Sequence, residues 1–388
     1  MDNVIAELEH EDRICQISLY FSYSLQIEKN WSTMQVPLQV PFPELEILLL
    51  SVSARLGWTS YVPVLPDSFL GGSAPRLRYF SLNFISFPGL PNLLLSATHL
   101  VHLYLLNIPY SGYISPDAMA TCLSISTSLE SVGLDFQSPR FSPDQQNRHP
   151  PPPTLSRSAL PALTRFWFKG TTQYLEDLVS QIDAPRLDQL FTTFFNDIDF
   201  NVPELNRFIS RTPTLGGYDE ARLIFGAGKA MVRLQSHPDL SGRRRNVDVK
   251  VLCQVPGQFS SLAQVCTMSS HLVLTTENLF VLEGSYPPPN WRVGIENTEW
   301  LDLLLPFVAV KNLHISKAFL PRIAPALREL TGGRTTEVLP ALENILLEEF
   351  EPSEPVEEGI AQFISARQLT NRPVAISAWK RGDVMEDP

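Results

Sequence analysis

The sequence predicts an α/β fold made by stacking one short unit many times, with a parallel β-sheet on one face and helices or irregular segments on the other. Three observations carry this. First, one phrase, Leu-x-x-apolar-x-apolar, recurs. Its members are Leu45/Leu48/Leu50, Leu77/Phe80/Leu82, Leu100/Leu103/Leu105, Leu129/Val132/Leu134, Leu163/Phe166/Phe168, Leu187/Leu190/Thr192, Val310/Leu313/Ile315 and Leu342/Ile345/Leu347. Second, the lead-ins resemble one another: Pro43, Pro75, Pro161, Pro185 and Pro340 all stand two residues before the first leucine. Third, the first members lie 32, 23, 29, 34 and 24 residues apart from Leu45 to Leu187, and 32 apart from Val310 to Leu342. Such a step marks a repeat architecture.

Each phrase reads as a short strand. Alternate side chains point to opposite faces, so the fourth and sixth positions of a phrase face one side. No unit can bury that side alone, and stacking on its neighbours solves the problem. This is the logic of an irregular leucine-rich-repeat solenoid. Proline fits the lead-ins, because a turn or a strand's first residue has no ladder donor to lose.

Composition agrees. At 388 residues and 44% hydrophobic, the chain can bury a large core. A solenoid grows by adding units, so residues 1–388 are expected to form one repeat array. A net charge of −11 argues against a general nucleic-acid binder. Cys15, Cys122, Cys253 and Cys266 are scattered with no Cys-x-x-Cys pair, which predicts buried free thiols rather than a zinc site or disulfide framework. The charged start, MDNVIAELEHEDR, is unlike a signal peptide, and no run reaches the ~18–20 apolar residues of a membrane helix. The expected location is intracellular, cytoplasmic or nuclear.

In chain order, residues 1–35 read as helical and then as a degenerate first strand, Ile14–Phe21. Residues 36–72 hold the first clear phrase and a loop ending in Gly71-Gly72. Residues 137–157, QSPRFSPDQQNRHPPPPTLSR, are polar and Pro-rich without period, an exposed loop. Tyr174–Ile182 and Val202–Arg211 carry apolar residues three and four apart, as return helices do. Gly216–Arg245 is the least regular stretch. Between Leu187 and Val310 the phrase blurs, with Val247–Cys253 and Leu279–Gly284 as candidate strands. Asn297–Phe307, Lys317–Gly333 and Val356–Leu369 read as helices. In the last, Glu357 and Glu358 begin and Arg367 nearly ends the segment, in agreement with the helix dipole. Arg372–Trp379 is the closing strand.

No catalytic pattern rises above noise. Phe225-Gly-Ala-Gly-Lys-Ala230 lacks the glycine spacing and the Ser/Thr of a phosphate loop. Arg243–Arg245 reads as a solvated turn. The acidic cluster Glu348, Glu349, Glu351, Glu354, Glu357 and Glu358 lacks the Asp/Asn and Gly spacing of a calcium loop. His99 and His102 flank core leucines in a strand phrase rather than forming a metal pair. The expectation is a protein with no cofactor, no metal and no enzymatic activity.

Positions three, five and seven of the phrase face away from the core. They supply Tyr79, Ser81 and Asn83; His102 and Tyr104; Ser131, Gly133 and Asp135; Arg165, Trp167 and Lys169; Gln189 and Phe191; and, later, Asn312, His314, Asn344 and Leu346. Of these, Tyr79, His102, Tyr104, Arg165, Trp167 and Phe191 form the candidate partner-binding set, since exposed aromatics and arginine are enriched at binding hot spots. The competing reading is that the rings pack on one another and merely cover the sheet.

Several long stretches carry a family resemblance: PDSFLGGSAPRLR (Pro66–Arg78), FPGLPNLLLSATHLVHLYLLNIPYSGYISPDAMATCLS (Phe87–Ser124), LPALTRFWFKGTTQYLEDLVSQIDAPRL (Leu160–Leu187), FISRTPTL (Phe208–Leu215) and FLPRIAPALRELTGGRTTEVLPALENI (Phe319–Ile345). They resemble the leucine-rich-repeat half of F-box-like proteins of basidiomycete fungi. That resemblance implies a substrate-recognition solenoid of a cullin ubiquitin ligase, joined to it through a Skp-type adaptor that binds an F-box. Residues 1–40 depart from the pattern, because they show no Leu-Pro-x-Glu-like helical start. A Skp-type adaptor is therefore expected only if an F-box lies upstream or hidden, in which case this is a fragment of such a protein; the alternative is a stand-alone repeat scaffold with no ubiquitin role.

Overall fold

A computed structural model describes residues 8, 11–22, 27–53, 62–137, 157–195, 202–238, 242–284, 296–330, 334, 336–350 and 357–380. Nearly all of the Pro-rich segment, residues 138–156, lies outside them. Contacts gather the chain into two compact units, Met1–Leu190 with Val202–Thr214, and Phe191–Asn201 with Leu215–Pro388.

The repeated phrase does fold as strands. All three members of all eight copies are buried, none more than 3% exposed. The lead-in sets each strand's start. In seven copies the amide of the first leucine donates to the carbonyl three residues back, as Leu77 does to Ala74 and Leu163 to Leu160. That closes a β-turn whose second residue is Pro43, Pro75, Pro161, Pro185 or Pro340 in five copies. Proline's fixed φ suits this position. The turn drops the leucine into the core and releases the chain as a strand.

In the first unit the strands are β1 (Gln16–Phe21), β2 (Ile47–Val52), β3 (Tyr79–Asn83), β4 (His102–Ile108), β5 (Ser131–Phe136), β6 (Ser158–Ala159), β7 (Arg165–Gly170), β8 (Ile182–Asp183) and the start of β9 (Gln189–Phe195). β1-β2-β3-β4-β5-β7 pair in parallel in that order, and β6 pairs with β8 separately. The anticipated first strand is therefore present as β1.

The helices are α1 (Ile27–Gln35), α2 (Leu90–Ser96), α3 (Pro116–Ile125), α4 (Thr172–Val179) and α5 (Pro203–Arg211). Ser115 and Thr171 cap α3 and α4 by accepting the amides of Ala118 and Tyr174, both at 3.3 Å. The Glu176 carboxylate of α4 accepts the amides of Glu204 and Leu205, both at 2.8 Å, so one return helix caps the next.

The second unit corrects the expectation of an all-parallel sheet. Its strands are β10 (Glu220–Gly226), β11 (Lys229–Gln235), β12 (Asn246–Leu252), β13 (Asn278–Glu283), β14 (Asn312–Ile315), β15 (Asn344–Glu348) and β16 (Ala375–Trp379). β10-β13-β14-β15-β16 are parallel, but β11 runs antiparallel between β12 and β10. Most of the stretch expected to be least regular is thus a hairpin. The Phe225–Ala230 glycines close it: Gly226 pairs with Lys229, and Gly228 takes a φ of 69°, which glycine adopts without strain. A two-residue connection can only join antiparallel strands.

Helices α6 (Val255–Met268), α7 (Asn297–Leu304), α8 (Leu320–Arg328) and α9 (Glu358–Leu369) are the longer helices of this unit. Arg367, expected as a charge at a helix end, is fully buried and donates to the carbonyls of Leu342 (3.0 Å), Leu339 and Pro340 (both 3.4 Å). Of the cysteines, Cys122, Cys253 and Cys266 are buried as anticipated, but Cys15, at the lip of β1, is exposed. Among the described residues no helix is long and apolar enough to cross a membrane.

Candidate functional site

The register of β3, β4, β5 and β7 sets two cross-strand rows on one face of the first unit. One runs Tyr79–His102–Ser131–Arg165, the other Ser81–Tyr104–Gly133–Trp167. Tyr79, His102, Tyr104, Arg165 and Trp167 are all half-buried, while Ser131 and Gly133 are buried beneath them. The rings touch. Tyr79 lies 5.4 Å from His102 and 5.6 Å from Tyr104, and Tyr104 lies 5.9 Å from Trp167, centroid to centroid.

The last contact needs an explanation, because β4 and β7 are two strands apart, about 9.6 Å at the usual ~4.8 Å spacing. Gly133 provides it. A Cβ there would stand 2.8 Å from Cδ1 of Tyr104, so the tyrosine ring leans over the bare backbone of β5 toward Trp167. Arg165 continues the bed. Its Nε donates to Oγ of Ser131 (3.0 Å), and its guanidinium carbon stands 5.5 Å from the Trp167 ring centre.

Burial dominates the electrostatics of this bed. It lowers the pKa of His102, and the nearby Arg165 and Arg78 push the same way against Glu130. Burial also raises the pKa of Tyr79, with Tyr104 adding and Arg165 opposing. Farther along the strands, Lys169 pairs with Asp135 at 2.9 Å, yet desolvation still leaves the Asp135 pKa raised.

Phe191 lies in the second unit, on β9, and is half-buried. The later sheet-facing positions are also there. Asn312 and Asn344 join Asn278 in a ladder of amide hydrogen bonds of 2.8 Å each. His314 stacks on Phe280 at 4.0 Å, and Trp379 stands 5.6 Å from it, edge-on.

A feature the sequence reading passed over lies along the strand starts of the first unit. The residues on either side of each buried first leucine, Arg76 and Arg78, His99 and Val101, and Ser128 and Glu130, line an open groove of about 650 Å³ together with Glu46. The signal was present as a Leu-flanking pair in every phrase. It was missed because the phrase was read only for its buried positions and its sheet face.

Among the described residues no group of three or more His, Cys, Asp or Glu side chains is placed to hold a metal. Of the acidic cluster, Glu351 and Glu354 lie outside the described residues. Glu348 accepts the amide of Lys317 at 3.0 Å, and the Lys317 ammonium is 4.0 Å from Glu349.

No family model matches this sequence, and neither does any curated protein. The crystal structure of the leucine-rich repeat-containing protein LegL7 from Legionella pneumophila aligns with a TM-score of 0.34 at 11% identity, over 91% of this chain and 98% of that one. The fold therefore rests on the strand register above and not on that alignment.

Proposed function

We propose that the chain is a protein-binding repeat solenoid of the leucine-rich-repeat type rather than an enzyme, and that the ring bed of the first unit is a contact surface. Phe191 is included as a further contact. The observation that carries this is the run of half-buried rings from Tyr79 to Trp167, held in contact through Gly133 and flanked by Arg165. Rings locked by neighbours lose little freedom on binding, which suits them as anchors. The bed offers a protein partner aromatic faces and one guanidinium.

The resemblance to F-box-like proteins refines this into substrate recognition for a cullin ubiquitin ligase. The second reading is a stand-alone repeat scaffold with no ubiquitin role. Two experiments separate the possibilities. In affinity capture, the Tyr104→Ala/Trp167→Ala double variant should lose the proteins retained by the wild type while staying folded, with a cooperative thermal transition lowered by only a few degrees. An unchanged capture set overturns the ring-bed assignment. Co-purification with a Skp-type adaptor, beside a relative that keeps its F-box, tests the ligase role. Capture of the adaptor by this chain supports it, and capture by the relative alone leaves a recognition solenoid detached from the ligase, either a fragment or a repurposed scaffold.

A further inference from the structure

The groove along the strand starts carries an inference separate from the ring bed. Its charged side chains are set by register. The amide of Arg78 donates to the Glu46 carbonyl, that of Val101 to Arg78, and that of Glu130 to Val101, so these four positions stand side by side, each immediately before its strand, β2, β3, β4 and β5. The row reads acid, base, apolar, acid. One turn outward, Arg76 is already paired with Glu44.

Glu46, Arg78 and Glu130 are different. All three are exposed, and none makes a side-chain hydrogen bond or ion pair among the described residues. The corresponding position in the second unit shows that geometry does not forbid pairing. There Glu277 and Lys311 also precede adjacent strands, and their side chains meet at 2.7 Å.

We propose that this groove binds an extended peptide segment in which a basic, an acidic and a basic residue alternate with small ones. Spacing argues for that occupant. Strands about 4.8 Å apart put Arg78 roughly 5 Å and Glu130 roughly 14 Å along the groove from Glu46. An extended chain rises about 3.3 Å per residue and points every second side chain to one face. Residues i, i+2 and i+4 of such a chain fall at roughly 0, 7 and 13 Å, opposite Glu46, Arg78 and Glu130. A segment of one charge fails, because it would meet either Arg78 or both glutamates with like charge. The groove is open and its charges are solvated, so the site is selective and weak.

The test uses the full chain and fluorescein-labelled, end-blocked pentapeptides read by anisotropy at low salt. The probe is lysine-serine-glutamate-serine-lysine, and the controls carry three lysines or three glutamates at the same spacing. The wild type should bind the probe about tenfold more tightly than the three-lysine control, the effect of turning one exposed attraction into a repulsion, and prefer it over the three-glutamate control, which turns two, by more than that. Arg78→Glu should reverse the preference in favour of the three-lysine peptide. Tyr104→Ala, which removes part of the ring bed and no part of the groove, should leave probe binding unchanged, so this assignment and the ring-bed assignment fail separately. The proposal is overturned by tight binding of the three-lysine peptide to the wild type, which would be plain attraction to a chain of net charge −11. It is equally overturned by absence of saturable probe binding, or by an unaltered preference in Arg78→Glu.

Discussion

In the first unit His102 sits half-buried beside Tyr79 and near Tyr104, on a face still partly open. In the second unit His314 occupies the same kind of position, on the same kind of parallel strand, under a lid. Phe280 stacks on one side of it and Trp379 folds back from β16 across β15, donating its indole N–H to the Ile315 carbonyl at 3.4 Å. Phe280, Leu282 and Trp379 are all at most 9% exposed and are packed by Ile224 and Leu346. Arg222, also buried, stands 5.7 Å from the Phe280 ring and bonds Glu220. Among the described residues, the two faces, with similar residue types, thus differ in whether other side chains cover them. Cover of this kind adds buried area and so stability.

The largest effect should come from removing the cover. Trp379→Ala should destabilise the second unit by about 3–5 kcal/mol, the range for truncating a buried aromatic. Urea unfolding would measure it, and a loss below about 1 kcal/mol would mean that Trp379 merely rests on the surface.

The next effect is pH dependence. Burial holds the His314 pKa down to about 4, against about 6.5 in an unfolded chain. Between those values the unfolded chain binds the proton that the folded one refuses. Stability is therefore full above about pH 6.5, falls as pH drops toward 4, and levels below that. The loss attributable to this residue is on the order of 1–2 kcal/mol, allowing for its partial exposure. His314→Phe should flatten that part of the stability–pH curve, and an identical curve would contradict the assignment.

Trp167→Ala, on the open face, should cost only about 1 kcal/mol, since a half-buried ring loses less burial and leaves no closed cavity. A cost equal to that of Trp379→Ala would erase the contrast between the two faces. Gly133→Ala should change stability least, by under about 1 kcal/mol, because the atom in its way is a ring that can swing aside. It should still part Tyr104 from Trp167. Near-ultraviolet circular dichroism would show the lost ring coupling, and an unchanged spectrum would show that Gly133 does not seat the tyrosine.

The repeat was legible in the sequence because burying a strand face leaves a spacing that needs no partner to be read. Leu77/Phe80/Leu82 and its seven counterparts are all core. The prolines of the lead-ins were legible too, as turn formers, and the structure places five of them at the same turn position. The Phe225–Ala230 glycines were read only as lacking the phosphate-loop pattern, and the hairpin they close went unread. Neither strand of that hairpin carries the phrase, and the half-buried Glu220 and buried Arg222, two apart on β10 and bonded to each other, disguise the alternation.

By itself the sequence determined which side chains are core, where most strands begin, and which residues face the other way. Those are properties of a local period, and local periods survive in one dimension. Only the tertiary structure decided that Tyr104 meets Trp167 over Gly133, that Trp379 closes over His314, that Arg367 is buried among carbonyls, and that Arg78 and Glu130 share a groove. Each depends on register between strands 23 or more residues apart in sequence, or on a side chain reaching past its nearest neighbour. A one-residue slip in register would send the strand-borne side chains among these, such as Tyr104, Trp167 and His314, to the opposite face while leaving the local pattern of the sequence unchanged.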